Sequence, residues 1–279
     1  MILYFSGTGN SRFVANSLAN ILAEDSGCIP DMNPDKLSLS GEFLILVFPI
    51  YSWGVPPIVM DFIGGISADA VNKIMNDDIP VLMVCTCGDE VAMAPEMFVK
   101  QWAQKGVCVK GAWSVIMPNN YVLLPGFNVD KPDVERKKLA HAPIRVKEIA
   151  RQIKNRQWQF DVTRGSLPNF KTRLIYPLFK RYGINTKRWT VSSDCIGCAK
   201  CVVKCPMRNI ELKSRHPVWG GNCVSCTACY HSCPAKAVGY SRITNGKGQY
   251  FCTLVPLSEN QVDYRTGEES CQDAVEDKP

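Results

Sequence analysis

Short apolar runs alternate with amphipathic segments through the first 155 residues. Met1–Phe5, Phe43–Ile50 and Ile79–Cys87 are almost continuous apolar runs, and Val107–Met117 is a fourth candidate of the same kind. Runs of this length without polar alternation are typical of parallel strands that are covered on both faces. They predict the central strands of one sheet.

The segments between these runs have helical periodicity. After the first strand, Val14, Leu18 and Ile21 fall on one helical face. The last candidate helix contains Pro143, which we expect to kink it. The alternation of strands and helices predicts a doubly wound parallel sheet of the α/β class. The candidate helices are residues 11–24, 55–63, 92–104 and 133–156.

The chain is long enough for two folded units. Of its 279 residues, 46% are hydrophobic and 21% are charged, which excludes a disordered chain, a collagen and a membrane bundle. Positive charge is concentrated in residues 131–190, which hold 16 Lys/Arg against 4 Asp/Glu. We divide the chain into an α/β domain, a basic connector, a cysteine-rich domain and a polar, acidic tail: residues 1–155, 156–190, 191–257 and 258–279.

Residues 169–189 mix basic and apolar side chains. Among them are Lys171, Arg173, Lys180, Arg181, Lys187 and Arg188 together with Leu174, Ile175, Leu178, Phe179 and Tyr182. We interpret this segment as a connector whose apolar side chains pack on the domains while its charges are solvated. The alternative is a basic amphipathic arm that binds a membrane surface or an acidic partner.

No targeting or membrane-spanning segment is predicted. The chain opens with the apolar run Met1–Phe5 and has no basic leader before it. Residues 43–60 are uncharged, but Pro49, Pro56 and Pro57 interrupt them, which a spanning helix rarely tolerates. We expect a cytoplasmic protein with reduced thiols and no membrane span.

Eight of the 14 cysteines form two copies of the run C-x2-C-x2-C-x3-C-P, which repeats after 28 residues. This run is typical of proteins with two [4Fe–4S] clusters, where three cysteines of one motif and the last of the other bind each cluster. Zinc is the alternative, but it leaves the third cysteine of each motif without a role. We expect cluster I to be bound by Cys195, Cys198, Cys201 and Cys233, and cluster II by Cys223, Cys226, Cys229 and Cys205.

The loop after the first strand is rich in glycine and hydroxyl side chains. It opens the first predicted helix, where free backbone N–H groups and the helix dipole attract an anion. The loop lacks the lysine of a P-loop and the spacing G-x-G-x-x-G of a dinucleotide site. We therefore predict a phosphate site built from Ser6, Gly7, Thr8, Gly9, Asn10 and Ser11.

Two further loops follow predicted strands at their carboxyl ends, where open α/β sheets bind ligands. Tyr51 and Trp53 are placed to sandwich a planar ring, although packing in the core is the alternative for such aromatics. We expect Cys85 and Cys87 to be buried and inert, and a thiol that reacts with a bound cofactor is the alternative. The candidate binding residues are Pro49, Tyr51, Ser52, Trp53, Gly54, Thr86, Cys87, Gly88 and Asp89.

These motifs carry a family resemblance. Residues 1–125 resemble flavodoxins, whose phosphate loop for FMN is matched here by Ser6, Thr8, Gly9, Asn10 and Ser11. The cysteine motifs resemble bacterial two-[4Fe–4S] ferredoxins. In this order, the chain resembles the EFR-type flavodoxin–ferredoxin fusion family over most of residues 1–240. The resemblance implies a five-stranded flavodoxin-like sheet, a small α+β ferredoxin-like domain, FMN and two [4Fe–4S] clusters.

The sequence favours an intracellular electron-transfer protein. FMN would exchange electrons with the clusters, and the clusters with an external redox partner that the sequence does not identify. We find no acid–base pair or nucleophile for catalysis and no feature for nucleic-acid binding. The alternatives are a flavin-dependent oxidoreductase that reduces its own small substrate, a redox sensor or assembly subunit that docks through residues 131–190, and a zinc-stapled binding module.

Overall fold

The computed structural model describes residues 1–258 and places six parallel strands in one sheet. The strands are β1 Ile2–Tyr4, β2 Ser26–Cys28, β3 Leu44–Pro49, β4 Val81–Cys87, β5 Val109–Ile116 and β6 Phe160–Asp161. Their order is β2-β1-β3-β4-β5-β6, which is the flavodoxin-like doubly wound order with one strand added at an edge. The predicted α/β class is confirmed. Apart from Ser258, the predicted tail lies outside the described residues.

Helices cover both faces of this sheet because the side chains of its strands alternate between two cores. Along β3, Leu44, Leu46 and Phe48 join the core under one helical layer, while Ile45 and Val47 join the other. All five are fully buried, which explains why the run carries no polar alternation. The helices are α1 Asn10–Leu22, α2 Pro57–Gly65, α3 Ala68–Asn76, α4 Ala94–Ala103 and α5 Pro132–Lys154.

The strands β2 and β6 and the helix α3 have no counterpart among the elements predicted from the pattern of apolar residues. β2 is a polar Ser-Gly-Cys strand and β6 has two residues, so neither has the apolar run of a central strand. These two edge strands make the sheet six-stranded rather than five-stranded. α3 begins after Ser67, whose hydroxyl accepts the Ala70 N–H at 3.3 Å. α5 is assigned as a single helix through Pro143.

The cysteine-rich unit repeats its backbone as well as its sequence. Each half contains a strand, a cysteine loop, a helical turn and a second strand. The elements are β7 Trp189–Val191, the turn Lys200–Val203, β8 Ile210–Lys213, β9 His216–Trp219, the turn Ala228–His231 and β10 Val238–Tyr240. β7 pairs with β10 and β8 with β9, both antiparallel.

A helical segment between the two units lies against the α/β domain. We call residues 168–183 the connector helix; it alternates α-helical and π-helical turns, namely Pro168–Phe170, Lys171–Ile175, Tyr176–Leu178 and Phe179–Gly183. Thr172, Tyr176 and Phe179 form its buried face. The Thr172 hydroxyl donates to the Trp53 carbonyl at 2.7 Å, which fastens the helix to the loop after β3. No helix within residues 1–258 has the length and apolar character needed to cross a membrane.

The last described residues return to the α/β domain. We call residues 250–257 the terminal strap. Its Cys252 N–H donates to the Thr8 carbonyl at 2.8 Å, and the Leu257 N–H donates to the Ser17 hydroxyl at 3.0 Å. The Asn20 side chain donates to the Leu257 carbonyl at 2.9 Å. The strap therefore crosses the loop before α1 and follows that helix.

Leu257→Ala is expected to lower the free energy of unfolding by about 2 kcal/mol, because the side chain is buried in the core that contains α1. Urea denaturation under anaerobic conditions measures the change. Val255 is 80% exposed on the same strap, so Val255→Ala is the matched control and should stay within about 0.5 kcal/mol. Equal effects of the two substitutions would contradict this packing.

Candidate functional site

One cavity of about 540 Å³ lies where the carboxyl ends of the central strands meet the connector helix and the second cysteine motif. Its volume is typical of small-molecule sites. Gly9 and Gly54 do not line it. The predicted binding residues that do are Ser6, Gly7, Thr8, Asn10, Ser11, Pro49, Tyr51, Ser52, Trp53, Thr86, Cys87, Gly88 and Asp89.

Three other segments complete the walls of this cavity, and sequence reasoning did not assign them to it. They are the loop at residues 118–127, the connector helix and residues 225–227 of the second cysteine motif, and Arg188 and Tyr240 line the cavity as well. The connector helix and the cysteine motif lie far along the chain from the strand ends, so no local pattern links them to the cavity. The loop at 119–121 was the only segment with a sequence signal, since its two asparagines and a tyrosine follow β5.

The loop before α1 leaves its helix end open to an anion while its side chains bind protein groups. Gly9 is the N-cap, offers no side-chain cap and has a φ of +99°, which favours glycine. Ser11 Oγ lies 2.8 Å from Thr86 Oγ1, and the Tyr250 hydroxyl donates to Asn10 Oδ1 at 2.6 Å. An anion at this point would therefore be held by backbone N–H groups and by the dipole of the 13-residue helix.

The aromatic loop after β3 is a tight turn. Tyr51 and Gly54 exchange two backbone hydrogen bonds of 2.9 Å each. Ser52 and Trp53 between them have φ values of +43° and +64°, a region that residues with side chains rarely adopt. The Trp53 indole N–H donates to Glu90 Oε1 at 2.7 Å. Strained backbone of this kind is common at functional sites. The turn and the indole hydrogen bond together hold Trp53 in the cavity wall.

The two aromatics of this loop are held by different partners. The Tyr51 ring makes edge-on contacts with Phe5 and with Phe179 of the connector helix, at centroid distances of 6.3 and 6.1 Å. Tyr51 therefore packs into the core on one side and lines the cavity on the other. Gly54 has a packing role, because a Cβ there would overlap the Tyr176 ring.

Lysines pair with the carboxylates beside the cavity. Glu90 forms an ion pair with Lys171 of the connector helix, and both side chains are mostly buried. Asp89 Oδ1 lies 3.3 Å from Lys138 Nζ of α5, which also lies 2.8 Å from Asp130. Lys171 cancels the charge of Glu90, whereas Lys138 is shared by two carboxylates, so this group of side chains keeps one net negative charge.

The two thiols at the end of β4 are buried. Burial raises the pKa of the Cys87 thiol to about 12, so it remains protonated at neutral pH. The Cys85 thiol donates to the Trp113 carbonyl at 3.5 Å, and burial raises its pKa as well. Of these two, Cys87 lines the cavity and Cys85 does not. Since the thiolate is the reactive form, this environment favours inert cysteines over a thiol that attacks a cofactor.

Three buried hydroxyls in the cavity wall have no hydrogen-bond partner within residues 1–258. They belong to Tyr121, Ser225 and Tyr240. A buried hydroxyl without a partner costs about 1–3 kcal/mol, so such groups are rare unless a ligand or a water satisfies them. A planar cofactor with polar atoms along its edge, such as a flavin, fits this donor set.

The two cysteine motifs enclose two smaller cavities. The first is lined by Cys195, Cys198, Cys201 and Cys233, and the second by Cys205, Cys223, Cys226 and Cys229. Each set takes three cysteines from one motif and one from the other. In the described part of the chain, no three His, Cys, Asp or Glu side chains converge on a point that would hold a single metal ion.

Both cysteine loops share one backbone design. Positive φ values recur at equivalent positions, at Gly197 and Ser225 and again at Ala199 and Thr227. In the second loop, the Ser225 N–H lies 3.4 Å from the Cys223 sulfur. After the last cysteine of each motif, the N–H groups of Asn209 and Ala237 lie 3.3 and 3.2 Å from the sulfurs of Cys205 and Cys233. Such N–H···S bonds stabilise thiolates that bind a cluster. The loops therefore suit clusters in both cavities.

Comparison with known families identifies this unit. Residues 194–238 match the family model described as a 4Fe-4S dicluster domain. This segment is a 4Fe-4S dicluster ferredoxin domain. The match includes all eight motif cysteines and supports iron–sulfur clusters as cofactors of the domain. A search of curated proteins finds no match to the chain.

Two tryptophans of the ferredoxin domain face its second cavity. Trp189 and Trp219 are stacked, with ring centroids 5.9 Å apart and an interplanar angle of 11°. Their indole N–H groups are buried and have no partner within residues 1–258. Both side chains line the cavity together with Cys223 and Cys229. They are therefore donors for the sulfurs of a cluster bound there.

Trp219→Phe is expected to lower the reduction potential of one cluster by an amount on the order of tens of millivolts, because hydrogen bonds to cluster sulfurs raise the potential. A redox titration followed by electron paramagnetic resonance measures it. Trp158→Phe, in the α/β domain, is the control and should leave both potentials unchanged. A Trp219→Phe protein with unaltered potentials would show that the indole does not reach the cluster.

His231 ties the ferredoxin domain to the loop that follows β5. Its Nδ1 accepts the Tyr250 N–H at 3.1 Å, so Nε2 carries the proton and donates to the Asn120 carbonyl at 2.7 Å. Burial lowers the pKa of His231 to about 4, which keeps the ring neutral at pH 7. The histidine inside the second motif thus has a structural role.

Gly7 is in tight contact with the second cysteine motif. A Cβ at this position would overlap the carbonyl oxygen of Cys226. Both sides of the contact are backbone, so a side chain at residue 7 would have to push the loop before α1 away from that motif. This packing requirement is a reason for glycine that the sequence alone did not supply.

Gly7→Ala is expected to lower the free energy of unfolding by about 1–3 kcal/mol through overpacking at this contact. Thermal and urea unfolding of the anaerobic protein measure the loss. Gly221→Ala is the matched control in the ferredoxin domain, because a Cβ there would meet nothing within 4 Å. Equal stability of the Gly7→Ala protein and the wild type would mean that the domains do not touch here.

Proposed function

We propose that this protein transfers electrons between FMN, two [4Fe–4S] clusters and an external redox partner. The main support is that the large cavity and the second cysteine cavity have residues of their walls in common. Cys226 and Thr227 line the 540 Å³ cavity and also line the second cysteine cavity. Cofactors in these two cavities would be separated by one backbone loop, which favours electron exchange between them.

FMN would supply the conversion between two-electron and one-electron steps. Backbone N–H groups at the start of α1 would hold its phosphate. Trp53 and Tyr51 would contact its ring system. The unpaired hydroxyls of Tyr121, Ser225 and Tyr240 would form hydrogen bonds with its polar atoms. The ion pair of Glu90 with Lys171 would cancel the charge of that carboxylate beside the ring.

The cysteines that line each small cavity would be the ligands of one cluster. Cluster II would be the one next to the flavin, because Cys226 belongs to its set and also lines the larger cavity. Cluster I would face the partner, because Cys198 is exposed and Ile196 beside it is 59% exposed. Electrons would therefore pass between flavin, cluster II, cluster I and partner, in either direction.

The proposed organisation is an FMN-binding domain, a basic connector, the ferredoxin domain and a tail, with the boundaries predicted from the sequence. The six-stranded flavodoxin-like sheet and the ferredoxin domain, in this order, support the EFR-type flavodoxin–ferredoxin fusion family for the whole chain. The eight reduced thiols that such clusters need favour the cytoplasm.

A second candidate is a flavin-dependent oxidoreductase that reduces its own small substrate. It is favoured by the size of the cavity and by Leu124 and Phe127, which line it and are 39% and 44% exposed. These side chains would place an apolar substrate beside the flavin. Anaerobic turnover of a small substrate without a partner protein would favour this candidate over the carrier.

The deciding experiment is the cofactor content of protein purified without oxygen. We expect about eight iron, eight acid-labile sulfide and one FMN per chain, as two four-iron clusters and one flavin require. Iron without flavin would refute the flavin half of the proposal. Zinc in place of iron would refute the electron-transfer function.

Single cysteine substitutions test the ligand sets. Cys233→Ala should remove the same cluster signal as Cys198→Ala, and Cys205→Ala the same signal as Cys223→Ala, because each cavity draws its fourth cysteine from the other motif. Electron paramagnetic resonance of the reduced proteins makes the comparison, and FMN content is the control. If Cys233→Ala instead matched Cys223→Ala, each motif would bind its own cluster.

A further inference from the structure

The outward face of the connector helix carries an uncovered apolar stripe. Four large side chains on it are more than half exposed, Phe170 53%, Leu174 51%, Leu178 51% and Tyr182 59%, and Leu167 just before the helix is 69% exposed. Most large apolar side chains elsewhere in the α/β domain are buried. A contiguous exposed stripe of this kind marks an interaction surface.

The irregular winding of the helix keeps the stripe straight. From Phe170 onward its members are four residues apart, and in a regular α-helix such residues drift around the axis by about 40° per step. Lys171–Ile175 and Phe179–Gly183 are π-helical, and the larger number of residues in a π turn reverses this drift. The opposite face meanwhile stays buried at Thr172, Tyr176 and Phe179.

The charges around the stripe have one sign. Residues 167–188 contain six Lys/Arg and no Asp/Glu. Lys171 is used in the ion pair with Glu90, but the other five, Arg173, Lys180, Arg181, Lys187 and Arg188, are exposed. An apolar face bordered by lysine and arginine is the pattern of a helix that lies in the surface of an anionic bilayer.

We infer that the connector helix binds the surface of an anionic lipid bilayer, with the stripe inserted among the acyl chains and the basic side chains at the phosphate groups. The charge favours this occupant over a second copy of the chain. In a two-fold dimer the same surface meets itself, so its exposed basic side chains would face their own copies. The inference does not depend on the proposed electron transfer.

The apolar stripe lies next to the large cavity. Leu178 and Tyr182 belong to the stripe and also line the 540 Å³ cavity, and Leu124 and Phe127 are exposed apolar residues that line the same cavity. A bilayer bound here would lie against the opening of that cavity. Lipid-dissolved molecules would then reach it without crossing water.

Vesicle co-sedimentation of the full chain tests the inference. We expect binding to vesicles of phosphatidylcholine mixed with phosphatidylglycerol, little binding to phosphatidylcholine alone, and weaker binding as salt is raised. Phe170→Gln combined with Leu174→Gln should weaken binding about tenfold or more, since both side chains belong to the stripe and neither lines the cavity. Arg173→Gln combined with Arg181→Gln should weaken it about tenfold and reduce the salt dependence.

The matched controls lie on α5. Ile144 is 65% exposed there, and Arg136 and Lys137 are exposed basic residues of the same helix. Ile144→Gln, and Arg136→Gln combined with Lys137→Gln, should leave vesicle binding unchanged. Equal losses in these controls would mean that the positive charge of the protein attracts vesicles without a defined surface, and would overturn the inference.

Hydrogen exchange on the wild-type protein gives a second test that needs no variant. Protection of residues 168–183 by the mixed vesicles is expected, and protection confined to other segments would refute the surface. Failure to bind the mixed vesicles would also refute it. The inference would also be refuted if the protein did not bind vesicles but formed a concentration-dependent dimer that the Phe170→Gln and Leu174→Gln substitutions dissociate. Cofactor content, measured in parallel, separates this result from the fate of the proposed function.

Discussion

The backbone of Gly7 lies directly against the carbonyl group of Cys226, and the candidate sites on both sides are built around that contact. Both sides of this contact are backbone and cannot move apart by a change of side-chain rotamer. The loop before α1 and the second cysteine motif are therefore held at a fixed separation. His231 and the terminal strap reinforce the same region through hydrogen bonds to Asn120 and Thr8. Two cavities that originate in different domains thereby share one wall.

Unpaired polar groups are concentrated on these walls. The hydroxyls of Tyr121, Ser225 and Tyr240 surround the larger cavity, and the indole N–H groups of Trp189 and Trp219 surround the second cysteine cavity. Burial without a partner is costly, and a fold usually avoids it. Their position around cavities, rather than in a packed core, is what a protein that surrounds cofactors requires.

The connector helix has two faces with opposite environments. Its inner face packs on the α/β domain, where Phe179 lines the larger cavity, and Lys171 forms an ion pair with Glu90. Its outer face leaves apolar side chains in contact with solvent, between exposed basic residues. The sequence allowed a packed connector or an amphipathic arm for the same segment. The structure gives each interpretation one face of the helix, because π turns hold the two sets of residues apart.

The sequence by itself determined the central strands and the cysteine-rich domain. These are local signals: continuous apolar runs identify strands buried on both faces, and fixed cysteine spacing identifies a cluster-binding loop. Only the tertiary structure decided the two edge strands, the packing roles of Gly7 and Gly54, and the part of the connector helix in the cavity wall. Each of these depends on contacts between residues far apart along the chain, and no pattern within a single segment records such contacts.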